Sequence, residues 1–300
     1  MLSSQVQHTT DVAIVISIVF LRNPFVFYRP HCAGDFGMPA LNATLDTLGQ
    51  LESGKSDSSS YSTTDSLNFT GKYRFGEDLL VDLGYYELPP PSTSSPPSTT
   101  LIDSSITPTN IVNTDSQSSL KTTSISQLPF HHKNLWLGKW TGKNNCTSYL
   151  DFLNNKQQVQ ELAIRESFQL NLKKITENLA NNTNSYSNDT SSPESPLSRY
   201  LLQQKTFFGC DIGTQGVIIS NITMAGLLVS AHVVGPKNVS NALLTGEVVC
   251  DENKISMARY LSDFIDCDFK SEHIDESIIS FQNYINNTFV NSLVKRLLFL

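Results

Sequence analysis

Charge is scarce in this sequence: Asp, Glu, Lys and Arg make up 16% of its 300 residues, against about 25% in an ordinary globular chain. No dense run of Lys or Arg occurs, and the formal net charge is -7. The chain therefore offers no electrostatic footprint for a phosphate backbone, and nucleic acid is not an expected partner. An uninterrupted apolar run of about 18 residues is also missing, so no stable membrane span is expected. Cys-x-x-Cys is absent and the five cysteines stand far apart, which leaves zinc unsupported and no cofactor expected.

What is present is 39% hydrophobic residues, enough to bury a sizeable core, and Ser, Thr, Asn and Pro gathered in blocks. The length suits either two domains or one domain carrying insertions. The blocks favour the second. Residues 89–128 contain Pro89-Pro90-Pro91 and Pro96-Pro97 in a Ser/Thr background, and 181–198 are dominated by Asn, Ser and Thr. Both are too poor in apolar residues to offset the entropy of ordering, so they read as disordered insertions. They leave 37–88, 129–180 and 199–270 as three parts of one domain, succeeded by a C-terminal helical extension over 271–300.

Residues 1–36 read as a possible signal or leader segment. Val12 to Phe20 has the length of a signal-peptide apolar core, although Asp11 precedes it and Arg22, Asn23 and Pro24 break the stretch after it. A buried β-branched strand is the alternative. Eight Asn-x-Ser/Thr sequons (Asn42, Asn68, Asn145, Asn181, Asn188, Asn221, Asn238 and Asn286) point toward a secreted glycoprotein. So do Cys146, Cys210, Cys250 and Cys267, an even set able to form two disulfides in any of three pairings. His131-His132 reads as an exposed loop pair. Cys210 with His232 as nucleophile and base is a pairing any such chain offers by chance.

Within the ordered parts, helical spacing dominates. Pro39 in a first turn, then Leu41, Leu45 and Leu48, predicts a helix ended by Ser53-Gly54, with Glu52 at its C-terminus. Gly71 to Tyr86 predicts a turn running into a short helix that buries Leu79, Leu80 and Leu83. Thr147-Ser148 opens a short helix through Leu153, and Gln157 to Leu179 a long one. Thr223 caps a helix Met224 to Val234 closed by Gly235-Pro236, with further helices after Lys237 and from Ser256 to Ile265. The expected fold is mainly α.

Four blocks then carry a resemblance: LGQLESG (Leu48 to Gly54), FTGKYRFGEDLLVDLGYY (Phe69 to Tyr86), WTGKNNCTSYLDFLNN (Trp140 to Asn155) and ITMAGLLVSAHVVGPKNV (Ile222 to Val239). In this order they resemble the lysozyme-like, lytic-transglycosylase-related proteins of phages and bacteria, over roughly Pro39 to Phe269. The resemblance implies a lysozyme-like helical domain that cleaves β-1,4-linked N-acetylated glycans such as peptidoglycan, with Glu52 as general acid. A glutamate in an apolar groove is disfavoured as an anion and can protonate a glycosidic oxygen. By the same resemblance Gly71 and Tyr73 lie near the sugar, and Arg74 stands where the family has glutamine. His232 replaces the tyrosine that steadies the catalytic glutamate, Val233 replaces an asparagine, and Gly235 lies in the same substrate-binding block. A transglycosylase needs no second carboxylate; Asp57 and Asp65 are available to a hydrolase. Tyr85, Tyr86, Trp136 and Trp140 have the chemistry to stack on sugars. The departures at Arg74 and Val233 leave open an inactive, glycan- or protein-binding descendant.

Overall fold

In the computed structural model the described residues are 37–90, 134–183 and 195–283, apart from 211, 213, 214 and 252. The leader segment, most of both Ser/Thr-rich insertions, the His131-His132 pair and residues 284–300 lie outside them. The described chain is mainly helical, as its spacing predicts, with four short strands. It divides into two compact units, whose described residues lie within 37–47 and 171–273 for one and within 48–170 and 274–283 for the other. The boundaries fall inside helices rather than at the insertions that divide the sequence.

Helix α1 (Met38–Ser53) buries Leu41, Leu45 and Leu48 on one stripe, and Gly54, at φ +69°, stands just past its end. Helix α2 spans Glu77–Asp82 and α3 spans Tyr149–Leu153. The α3 start is set by Ser148, whose hydroxyl accepts from the Asp151 amide at 3.1 Å. The long α4 (Val159–Thr183) buries all of Val159 to Arg165, not a single stripe. Two-residue strands β1 (Tyr86–Glu87) and β2 (Lys139–Trp140) pair antiparallel, Tyr86 opposite Trp140. They are too short to write an alternating pattern into the sequence. In the Leu48–Leu170 unit Phe75 packs edge-on against Phe152 with centroids 5.3 Å apart.

The other unit is built around α5 (Met224–Val234), buried at every position from Met224 to Ala231. Thr223 caps it, accepting from the Gly226 amide at 3.1 Å and donating to the Phe264 carbonyl at 2.9 Å. Gly226 lets α7 (Met257–Asp263) close on it: a β-carbon there would sit 3.1 Å from the Leu261 carbonyl. Between them α6 (Pro236–Thr245) begins at Pro236, before the Lys237 after which the sequence places it. Strands β3 (Lys205–Phe207) and β4 (Val217–Ile219) form an antiparallel pair. The last described helix, α8, covers residues 271–283.

The cysteine arrangement departs from expectation. Cys210 bonds to Cys250 and Cys267 is disulfide-bonded too, but Cys146 is a buried free thiol, so the four downstream cysteines do not form two disulfides among themselves. Cys146 sits in the turn before α3, and burial pushes its thiol up to about 12, with Asp151 adding to the effect. A thiol so placed is inert. With an aromatic disulfide reagent at pH 8, one thiol is expected to react roughly 100-fold or more slowly in the native protein than in denaturant.

Candidate active site

Glu52 ends α1 with its side chain 12% exposed, and Arg74 brings its guanidinium Nε to 3.8 Å from the Glu52 carboxylate. Two of the sequence blocks thus converge here. Arg74 reaches Glu52 from a tight turn whose ends, Thr70 and Phe75, exchange both backbone hydrogen bonds at 2.9 and 2.7 Å. Within the turn Arg74 itself adopts φ +50°, a left-handed conformation costly for a side chain of this size. Such strain survives only where the surroundings over-determine it.

Helix α4 supplies that determination through two adjacent residues of its first turn. Gln160, wholly buried, accepts from the Lys72 amide at 2.8 Å and donates to the carbonyls of Tyr61 and Phe152 at 2.9 and 2.7 Å. Glu161, 8% exposed, takes the side chains. Its carboxylate accepts from the Tyr61 hydroxyl (2.8 Å), the Lys72 ammonium (2.9 Å), the Tyr73 hydroxyl (2.8 and 2.9 Å) and the Arg165 guanidinium (3.0 Å). Burial alone would raise its pKa, but Lys72, Arg165 and the hydroxyl donors outweigh that and hold Glu161 below the usual glutamate range. Tyr73 moves the opposite way: burial and the Glu161 charge push its phenol well up, so it stays a donor.

A depressed folded-state pKa stabilises the fold fully above the ordinary glutamate value of about 4.3, and the contribution fades as pH falls through the lower folded value. The Leu48–Leu170 unit is therefore expected to lose stability below about pH 4. A Glu161→Gln variant should show a flatter dependence there, checked by denaturation at pH 3 and pH 6.

No known protein family, curated protein or solved structure matches the chain. The resemblance consequently rests on the four sequence blocks alone. Arg74 meets Glu52 across 3.8 Å. Gly71 and Tyr73, expected beside the sugar, are both buried: Gly71 lies against Gln160, and Tyr73 is closed to solvent with its hydroxyl on Glu161. His232 and Gly235 belong to the other unit. His232 is half-buried in the last turn of α5. Gly235, at φ +86°, makes the bend between α5 and α6 that side chains rarely tolerate.

Both alternative carboxylates have local structural work. Asp57 caps the turn helix Ser58–Ser62, bonding the Ser59 amide and hydroxyl at 2.9 and 2.6 Å, and those bonds lower its pKa. Asp65 accepts from the amides of Leu67 and Phe69, each at 2.9 Å.

Of the four aromatic candidates, Tyr85 and Tyr86 are closed to solvent. Trp136 and Trp140 stay half-buried, nearly parallel with centroids 6.1 Å apart. Trp136 is held at φ +54° by its backbone N–H donating to the Glu77 carboxylate at 2.8 Å and its indole N–H donating to the Asn68 carbonyl at 2.9 Å. The residues that sequence reasoning missed are Gln160 and Glu161. Their one signal is position: polar side chains directly between Val159 and Leu162, in a turn that is otherwise apolar.

Among the described residues no group of His, Cys, Asp and Glu is arranged to hold a metal, and no helix is long and apolar enough to cross a membrane.

Proposed function

We propose that the protein cleaves peptidoglycan-like β-1,4-linked N-acetylated polysaccharide, with Glu52 as the general acid. What supports this is the meeting of Glu52 and Arg74, which brings LGQLESG and TGKYRFG, separated by residues 55–69, to one point at 3.8 Å. Glu52 has the carboxyl group and the burial that the chemistry needs, while Arg74 opposes it by favouring the anion. The Glu52 side chain is 12% exposed, at the end of an amphipathic helix and beside a strained, firmly held turn.

In this mechanism Glu52 gives its proton to the glycosidic oxygen as the C–O bond breaks. The resulting carboxylate then takes a proton from the sugar's own 6-hydroxyl, which closes a 1,6-anhydro ring, or from water, which completes hydrolysis. The guanidinium of Arg74 has N–H groups only, so toward a sugar hydroxyl or acetamide it donates where glutamine would both donate and accept. The extracellular or secreted setting suggested by the sequons and the apolar N-terminal run is part of the same proposal.

A second reading is favoured by the same ion pair. A cation beside a carboxylate favours the ionised form, which has no proton to give. On that reading the fold binds glycans or protein partners without cleaving. Incubation of the full chain with peptidoglycan, and mass spectrometry of the soluble fraction, separates the two. Muropeptides lighter by one water than hydrolytic products mean a lytic transglycosylase, and reducing-end products mean a hydrolase. Saturable binding by folded protein with neither product would overturn cleavage in favour of the second reading.

A further inference from the structure

We propose that Glu161 is the positioning residue of this site, fixing the two segments that flank Glu52 and thereby the approach of Arg74 to it. The inference rests on the general-acid reading of Glu52, but the geometry behind it is independent of that reading.

Apart from Arg165 of its own helix, the groups gripping Glu161 come from segments next to Glu52. One is the turn helix Ser58–Ser62, into which the chain passes after α1, anchored by the Tyr61 hydroxyl. The other is the Thr70–Phe75 turn, anchored by Lys72 and Tyr73, the two residues directly before Arg74. Lys72 also lies along α1 itself: a β-carbon at Gly49 would sit 2.7 Å from the Lys72 Cγ. Arg165, the second cation on Glu161, is backed by the Phe281 ring at 4.1 Å.

A buried ion network of this kind adds little net stability over a well-packed apolar core, because desolvation offsets the Coulomb gain. What it does supply is a single allowed geometry, since every donor it holds is costly to leave unbonded. The strained φ of Arg74 is the feature here that needs such enforcement.

The test uses a Tyr61→Phe, Tyr73→Phe double variant, which removes two hydroxyl donors from Glu161 and changes no charge and no ring. Among the described residues, Tyr61, Lys72, Tyr73 and Arg165 are titratable groups bonded to Glu161, and Arg74 pairs with Glu52. Two quantities are read: the 13C titration of the Glu52 carboxyl, and the pH profile of kcat on peptidoglycan. With the turn loosened Arg74 recedes and the proton affinity of Glu52 rises, by about threefold or more, with the alkaline limb of kcat moving by the same factor and KM little changed.

Tyr85→Phe is the control. It removes a buried hydroxyl that accepts from Asn144 at 2.7 Å and interacts with Glu166 but is not among the donors bonded to Glu161, and should leave the titration in place. An unchanged Glu52 titration in the double variant, with only a lower melting temperature, would overturn the positioning role. An equal shift in the control would do the same. If the double variant does not fold, Tyr61→Phe alone is read by the same criteria. If the wild type cleaves nothing, the titration still decides for or against Glu161, so failure of the catalytic reading remains distinguishable.

Discussion

Glu52→Gln is expected to fold as the wild type does and to lose cleavage of peptidoglycan by about 10²- to 10⁴-fold, the usual worth of a positioned general acid. Glutamine keeps the size of the side chain and can still meet the Arg74 guanidinium. What it loses is the proton that the glycosidic oxygen must receive and the charge that pairs with Arg74. That ion pair is long, at 3.8 Å, and its arginine is 30% exposed, so its loss costs about 1 kcal/mol at most. Stability and activity are therefore predicted to separate. Denaturation midpoints should agree closely between the two proteins while soluble muropeptides, measured by mass spectrometry, vanish in the variant. Equal product from both would remove Glu52 from the mechanism and move attention to another carboxyl group.

How far the sequence foretold the fold depended on whether each element is specified locally. Helices α1, α3, α5 and α7 carry their own start signals, Pro39, Ser148, Thr223 and Ser256, and their apolar spacing is unambiguous, so they appear where the pattern puts them. The strands Tyr86–Glu87 and Lys139–Trp140 lie far apart in sequence and are too short for a period-two pattern. Cys146 stands in an even set with three bonded cysteines, and only its burial before α3 shows that it stays reduced.

The site divides as well. Glu52 is singled out by the resemblance of its block, and the local pattern adds only that it stands at the end of a helix with one apolar stripe. Glu161 is not, because its importance comes from Tyr61, Lys72 and Tyr73, some ninety to one hundred residues earlier in the chain. Tyr73 shows the cost of transferring a role by resemblance: the resemblance puts it beside a sugar, yet the ring is buried and its hydroxyl is used by Glu161.

Gly71 separates packing from substrate contact most sharply, and Gly71→Val is expected to destabilise the Leu48–Leu170 unit by roughly 3–5 kcal/mol. Two independent causes add. Its φ of +86° is strained for any side chain and worst for a β-branched one. A β-carbon would also overlap the Gln160 amide, 2.7 Å from its Cδ and nearer still to its Oε1. Gln160 has nowhere to retreat, because moving it breaks its bonds to the Lys72 amide and to the Tyr61 and Phe152 carbonyls. A double-mutant cycle apportions the two causes. Truncation in Gln160→Ala removes the overlap but not the strain, so Gly71→Ala should cost less in that background than in the wild type, by about 1 kcal/mol or more. Were Gly71 required only for the close approach of a sugar, Gly71→Ala would leave the denaturation midpoint nearly unchanged and raise KM alone. A falling midpoint with coupling to Gln160 assigns the glycine to the support of the Arg74 turn, one step behind the chemistry.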